Sequence, residues 1–235
     1  MERELTLWEH LAELRKRIII SLTTLILASI ISFSFSRHLL RILKLPAKGM
    51  IDKLVFFSPQ EAFLIYLRIS LFSGIVLSLP MILYQIWAFI LPALGERARR
   101  WVTYFIFFGL ISFLSGCLFA YFILIPPALN FLLNFGKDQL EPVISATRYI
   151  SFIISLILAS GLVFQMPVLS FILTKAGIIN FRFLRRKYRY AIVLVFIVAA
   201  LITPTVDVFN LFLLAVPMIF LYELSIWISW LAKRI

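Results

Sequence analysis

Along this chain hydrophobic residues come in long unbroken runs, and short polar stretches separate them. There is neither the three-to-four spacing of a soluble helix nor the alternation of a half-buried strand. Six runs read as membrane-spanning helices, at 18–35, 62–91, 102–125, 149–174, 190–202 and 207–230. Together they predict an all-α polytopic membrane protein with one membrane domain over 1–235. The second run, about 30 residues at about 1.5 Å each, exceeds a core of about 30 Å, so it should tilt or kink, with Pro80 the obvious place. The third stops at Pro126-Pro127, and ALNFLLNF beyond is too short to cross again; it reads as an interfacial segment or a kinked extension. The fifth, at about 13 residues, is short for a full crossing. Ahead of the first run, residues 2–17 predict an amphipathic helix on the membrane surface, with Trp8, Leu11, Ala12 and Leu14 near one face.

Composition strengthens this picture. Of 235 residues 63% are hydrophobic and 14% charged, where a soluble domain is nearer half apolar and a quarter charged. The net charge of +12 would suggest nucleic-acid binding in a soluble protein, but here lysines and arginines gather between apolar runs and no nucleic-acid motif accompanies them. One cysteine, Cys117, and two histidines, His10 and His38, in different segments give no disulfide framework and no metal-ligand spacing. No Ser/His, paired-Asp or phosphate-cradling Gly-rich arrangement exists, so neither enzymatic chemistry nor a cofactor is expected. The first run reads as a retained anchor, because residues 1–17 carry four acids and no small-residue cleavage site follows.

Six crossings put both termini on one side. On that side the N-terminal segment, the 92–101 loop, the 175–189 loop and the C-terminus hold 15 lysines and arginines, against eight on the other. The positive-inside rule then places both termini in the cytoplasm.

Several polar residues stand out. WAFILPALGERARRW, 87–101, turns at Pro92 and Gly95 and packs Glu96, Arg97, Arg99 and Arg100 before the next run. Its carboxylate, backbone polar groups and aromatics, Phe89 among them, suit capture of a charged peptide; a packing role for Phe89 and ion pairing of Glu96 with Arg99 or Arg100 are the simpler alternatives. Glu9 and Glu13 lie one turn apart and offer a cation-binding face, or simply favour the positive helix N-terminus, with Glu13 paired to Arg17. Gln165, beside Pro167, should face protein or water: it makes either a helix–helix hydrogen bond worth about 1 kcal/mol or a functional contact. Glu223, within the last run, should find an interior partner or water, whereas Arg68 should snorkel outward. Ser58, Pro59 and Glu61 predict a capped helix start, Pro46 lies in the first long connection, and Asp207 caps the last run.

Taken together, these stretches resemble the TatC family, the receptor subunit of the twin-arginine protein translocase. The resemblance covers nearly the whole chain and is strongest at LPMILYQIWAFILPAL (79–94) and HLAELRKRI (10–18). FSPQEAF, the TP-then-Asp turn at 203–207 and AVPMIFLYE (215–223) add to it. It implies a six-helix bundle curved like a cupped hand, with cytoplasmic termini and short fifth and sixth helices, in the inner membrane of a bacterium or archaeon. It implies binding of twin-arginine signal peptides of folded precursors, assembly with TatB-like and TatA-like single-span subunits, self-association, and transport driven by the proton-motive force. Family recognition residues match at Glu13, Arg15, Phe89 and Pro92. The family's loop acid falls at Ala98, leaving Glu96 as the substitute; relatives often carry glutamate where this chain has Gln165. Two carboxylates from separate elements, Glu96 with Glu13 or Glu9, would then grip the paired guanidiniums. A small-molecule secondary transporter is the alternative, because polar residues beside helix-breaking prolines occur in such sites, although no convincing internal repeat supports it.

Overall fold

A computed structural model describes residues 7–51, 53–90, 102–135, 143–203 and 207–234. Among these the chain is helical: α1 Leu7–Ser34, α2 Ser36–Lys44, α3 Pro59–Ile90, α4 Val102–Phe119, α5 Ile125–Asn134, α6 Ala146–Val163, α7 Gln165–Lys175, α8 Phe181–Arg186, α9 Tyr188–Ile202 and α10 Val208–Arg234. The six spans are α1, α3, α4 with α5, α6 with α7, α9 and α10. Five are long and apolar enough to cross a bilayer; α9, with 15 residues, is short as expected, whereas the sixth span, α10, has 27 residues and is not.

Where the expectations for 2–17 and 18–35 divide the chain, α1 runs on without a break for 28 residues from Leu7. ELRKRIII contains neither glycine nor proline to stop a helix, and the Glu13–Arg17 pair ties one turn to the next. At about 1.5 Å per residue α1 is about 42 Å long, so its first turns extend past a core of about 30 Å.

The third span also continues. Between α4 and α5 lies a π-helical turn, Ala120–Leu124, in which the Ile125 N–H reaches the Ala120 carbonyl five residues back. The wider turn lets Pro126 and Pro127 fall in the first turn of α5, where no N–H is needed. ALNFLLNF is thus the kinked extension.

In the fourth span the helix breaks at Phe164, between α6 and α7, three residues before Pro167. At the end of α7, Gly177 (φ 76°) adopts the left-handed conformation that closes the helix, with its N–H on the Thr174 carbonyl at 3.0 Å.

α1 packs along α3 in antiparallel fashion, and α6 lies at the centre with α4, α3 and α10 around it. Small residues allow the closest approaches. A Cβ on Gly116 would lie 2.6 Å from the Ser160 carbonyl oxygen and 2.9 Å from Gly161 Cα, and one on Gly74 would lie 2.9 Å from Ser29 Cα. Without water between helices in a membrane, such contacts supply association through van der Waals packing.

Pro59 opens α3 as expected, but the Glu61 carboxylate reaches back past Ser58 to the Phe57 N–H (3.1 Å), and it also accepts from the Thr147 hydroxyl (3.4 Å). Asp207 caps α10 by accepting the Asn210 N–H at 2.7 Å. Pro46 sits in the 3₁₀ turn Leu45–Ala47 after α2.

Candidate functional site

Two polar clusters lie against the helix interfaces. The first is at the α1–α3 edge, at the end where α1 begins and α3 finishes. Glu13 accepts two hydrogen bonds from Arg17, from Nη2 at 2.7 Å and Nε at 3.2 Å. The third arm of that guanidinium, Nη1, donates to Gln85 Oε1 at 2.9 Å. One turn further out the His10 ring stacks on Phe89, with centroids 4.5 Å apart. Below this polar rung, an apolar cavity of about 340 Å³ between the same helices is lined by Leu14, Ile18, Leu22, Ile82 and Ile86.

The arrangement follows from the chain. His10, Glu13, Leu14 and Arg17 recur at three and four residues along α1 and so share a face. Gln85 and Phe89, four apart, do the same on α3. Because the two helices run in opposite directions, the outermost residue of α1 meets the outermost of α3. Glu9 lies exposed in the first turn of α1, one turn before Glu13, and Arg15 is exposed on another side of the helix. Pro92 and Glu96 lie outside the described residues, in the segment that joins Ile90 to Val102.

Chemically this edge offers a carboxylate oxygen, Glu13 Oε1, that accepts two N–H groups of one guanidinium, an amide that holds the same guanidinium from behind, and an aromatic platform. Arginine is told from lysine by a fork to both carboxylate oxygens, which an incoming guanidinium could form where Arg17 uses only Oε1. Sequence reasoning singled out Glu13 and Phe89 but passed over Gln85, and treated His10 only as a missing metal ligand. The signal was present: Gln85 is a polar side chain within the apolar run 62–91, the same feature that drew attention to Gln165.

The second cluster surrounds Gln165 at the α6–α7 break. Its Nε2 donates to the Gly109 carbonyl at 2.9 Å, and the Ser112 hydroxyl donates to the Phe164 carbonyl at 2.5 Å. The break therefore gains hydrogen bonds from successive turns of α4, and Gln165 faces protein. Its Oε1 and the indole Nε1 of Trp87 are buried with no hydrogen-bond partner among the described residues. Trp87 packs on Phe105, one turn of α4 from Gly109, at 4.9 Å between centroids. Gln165 and the α1–α3 edge are separate sites.

Glu223 pairs with Arg185 of α8, so its partner comes from the basic connection and not from another span. Beside it the Tyr222 hydroxyl donates to the Leu184 carbonyl at 2.8 Å. Arg68 does not simply point outward: it donates to the Ser151 hydroxyl on α6. No group of three or more metal-ligating side chains exists among the described residues.

These features define a class first: a polytopic all-helical membrane protein whose polar side chains gather at one helix edge and one helix break. The family described as Sec-independent protein translocase protein (TatC) matches residues 9–217. A relative of that name from Carboxydothermus hydrogenoformans is 41% identical over 228 residues, covering 97% of this chain and 94% of its own length. Another, from Aquifex aeolicus, is 41% identical over 232 residues, covering 97% and 96%. A crystal structure described as the twin arginine translocase receptor TatC superposes with a TM-score of 0.86 at 40% identity, covering 96% of this chain and all of that one. The chain belongs to the TatC family. It is a multi-pass membrane component of a protein translocase family, not an enzyme family, and nothing among these relatives supports the small-molecule transporter reading.

Proposed function

We propose that this chain is the receptor and core subunit of a Sec-independent translocase, and that it binds twin-arginine signal peptides at the α1–α3 edge together with the 91–101 segment. The observation that carries the proposal is the Glu13–Arg17–Gln85 rung with the His10–Phe89 stack beside it. A guanidinium is already accepted there by one oxygen of Glu13, which an incoming arginine would share or take over, and the acid Glu96 is close by in sequence. Glu13 and Glu96, with Glu9 one turn further out, supply carboxylates for two consecutive guanidiniums. Arg15 and Pro92 flank them. Each charge-assisted bond contributes about 1.5–3 kcal/mol. The apolar cavity below the rung receives the first apolar residues of the peptide. Gln165, Glu223, Pro46, Pro59 and Asp207 act as framework in this reading.

The distribution of lysine and arginine supports an orientation with both termini in the cytoplasm and the binding edge facing it, in the cytoplasmic membrane. Assembly with TatB-like and TatA-like single-span subunits, and self-association, follow from the family reading.

The test is binding of a labelled twin-arginine signal peptide to the purified protein in nanodiscs, against a twin-lysine control, repeated with Glu13→Ala and Glu96→Ala. Arginine-selective binding, weakened in both variants, is the expected result. Equal binding of the two peptides, or unchanged affinity in both variants, overturns the assignment.

A further inference from the structure

The six-crossing fold leaves one charge distribution that peptide recognition does not use. α2 lies beyond the far end of α1, on the side opposite the termini, and there Arg37, Arg41 and Lys44 form an exposed stripe along one face. None pairs with an acid among the described residues. The helix macrodipole accounts for Arg41 and Lys44, which sit in the last turn, but it disfavours Arg37, second residue at the positive end. Topology disfavours all three, because positive charge collects on the side with the termini.

The other face of α2 is apolar and roofs a cavity of about 660 Å³. Leu39, Ile42 and Leu43 line its upper end, and Ser73, Val76 and Leu77 its lower end. Two tyrosines fix the roof: Tyr121 in the π turn donates to the Ile42 carbonyl at 2.7 Å, and Tyr149 of α6 donates to the Leu43 carbonyl at 2.8 Å. The cavity begins at the level of α2 and ends near the middle of α3, so it covers the depth of one leaflet. A spanning partner helix would need a groove of full membrane depth; an acyl chain needs half.

We infer that α2 and the cavity beneath it form a binding site for an anionic phospholipid of the leaflet opposite the termini, its phosphate on Arg37, Arg41 and Lys44 and one acyl chain under the roof. The proposal requires membrane insertion only and stands apart from the peptide reading. A stripe of three cations near the headgroups corresponds to a preference of about ten- to a hundred-fold for an anionic over a zwitterionic lipid.

The experiment is native mass spectrometry of the delipidated protein in detergent, titrated with phosphatidylglycerol and with phosphatidylcholine of the same chains, and separately with glycerol phosphate. Three proteins are compared: wild type, the exposed triple variant Arg37→Gln/Arg41→Gln/Lys44→Gln, and Val76→Phe, which narrows the cavity. Expected are retention of one phosphatidylglycerol in preference to phosphatidylcholine, loss of that preference in the triple variant, and weaker retention of both lipids in Val76→Phe. Gel filtration of each variant establishes that it is folded. Equal retention of the two lipids by wild type, full preference in the triple variant, or glycerol phosphate binding as tightly as the lipid overturns the proposal. No retained lipid, as expected if a partner helix fills the cavity instead, overturns it as well.

Discussion

Along α1, 6% of the most apolar stretch is buried within the protein, whereas along the span formed by α6 and α7 the share is 56%. Both regions bring polar side chains into apolar surroundings, and they handle them differently. At the edge, Glu13 and Arg17 are partly exposed side chains, paired with each other and backed by the buried amide of Gln85. At the centre, Gln165 and Ser112 are held by backbone carbonyls on a neighbouring helix, and glycines bring that helix too close for a side chain to turn. If the edge receives the peptide as proposed, frame and receiving surface fall on different helices.

The largest effect expected concerns the edge. Glu13→Ala should lower twin-arginine peptide affinity by about ten- to a hundred-fold, equivalent to about 1.5–3 kcal/mol, with little change in melting temperature because Arg17 keeps Gln85. Fluorescence anisotropy and a thermal ramp on the same sample decide it; a protein that simply unfolds would show the edge to be framework after all. Next is the centre. Gly116→Ala presses a methyl group onto the α6 backbone and should cost about 1–3 kcal/mol. Gly74→Ala meets the Ser29 hydroxyl at 2.1 Å and its Cα at 2.9 Å, yet should cost less, because α1 has few neighbours besides α3 and can shift. Reaction of Cys117 with a thiol dye during heating reads both, and equal losses would erase the distinction between edge and centre.

A smaller effect is expected at the break. Gln165→Leu removes one interhelical hydrogen bond and also the buried, unpartnered Oε1, so stability should change by no more than about 1 kcal/mol. A loss above about 3 kcal/mol would mean that the amide makes a further bond, for instance to a trapped water. Smallest is Arg185→Gln. With Arg185 63% exposed and Glu223 33% exposed, that pair should contribute under about 1 kcal/mol, measured by the same thermal assay.

The spans were legible in the sequence because apolar runs of bilayer length admit few other readings, and the α10 cap because Asp207 precedes the last run directly. The continuation past Pro126-Pro127 was open. A π turn is marked by no residue type, and AYFIL looks like any other stretch of an apolar helix. The continuity of α1 was likewise hidden, since charge periodicity alone does not distinguish a surface helix from the projecting end of a spanning one. Half of the candidate site was readable: Glu13 and Phe89 stand in recognisable surroundings, and the Glu13–Arg17 pair follows from spacing. The link to Gln85 depends on the register between two helices and joins residues 68 apart, which no local pattern encodes.

One dimension of the fold bears on the bilayer itself. At about 1.5 Å per residue, the 15 residues of α9 measure about 22 Å against hydrocarbon of about 30 Å. Lipids beside it must shorten or tilt to avoid exposing apolar chain ends to water, at a cost of fractions of a kcal/mol for each ångström of mismatch. Where lipid follows this mismatch, the membrane is dimpled on the α9 flank relative to α3. That dimple is a mechanical property of the lipid, imposed from a distance by where one helix stops.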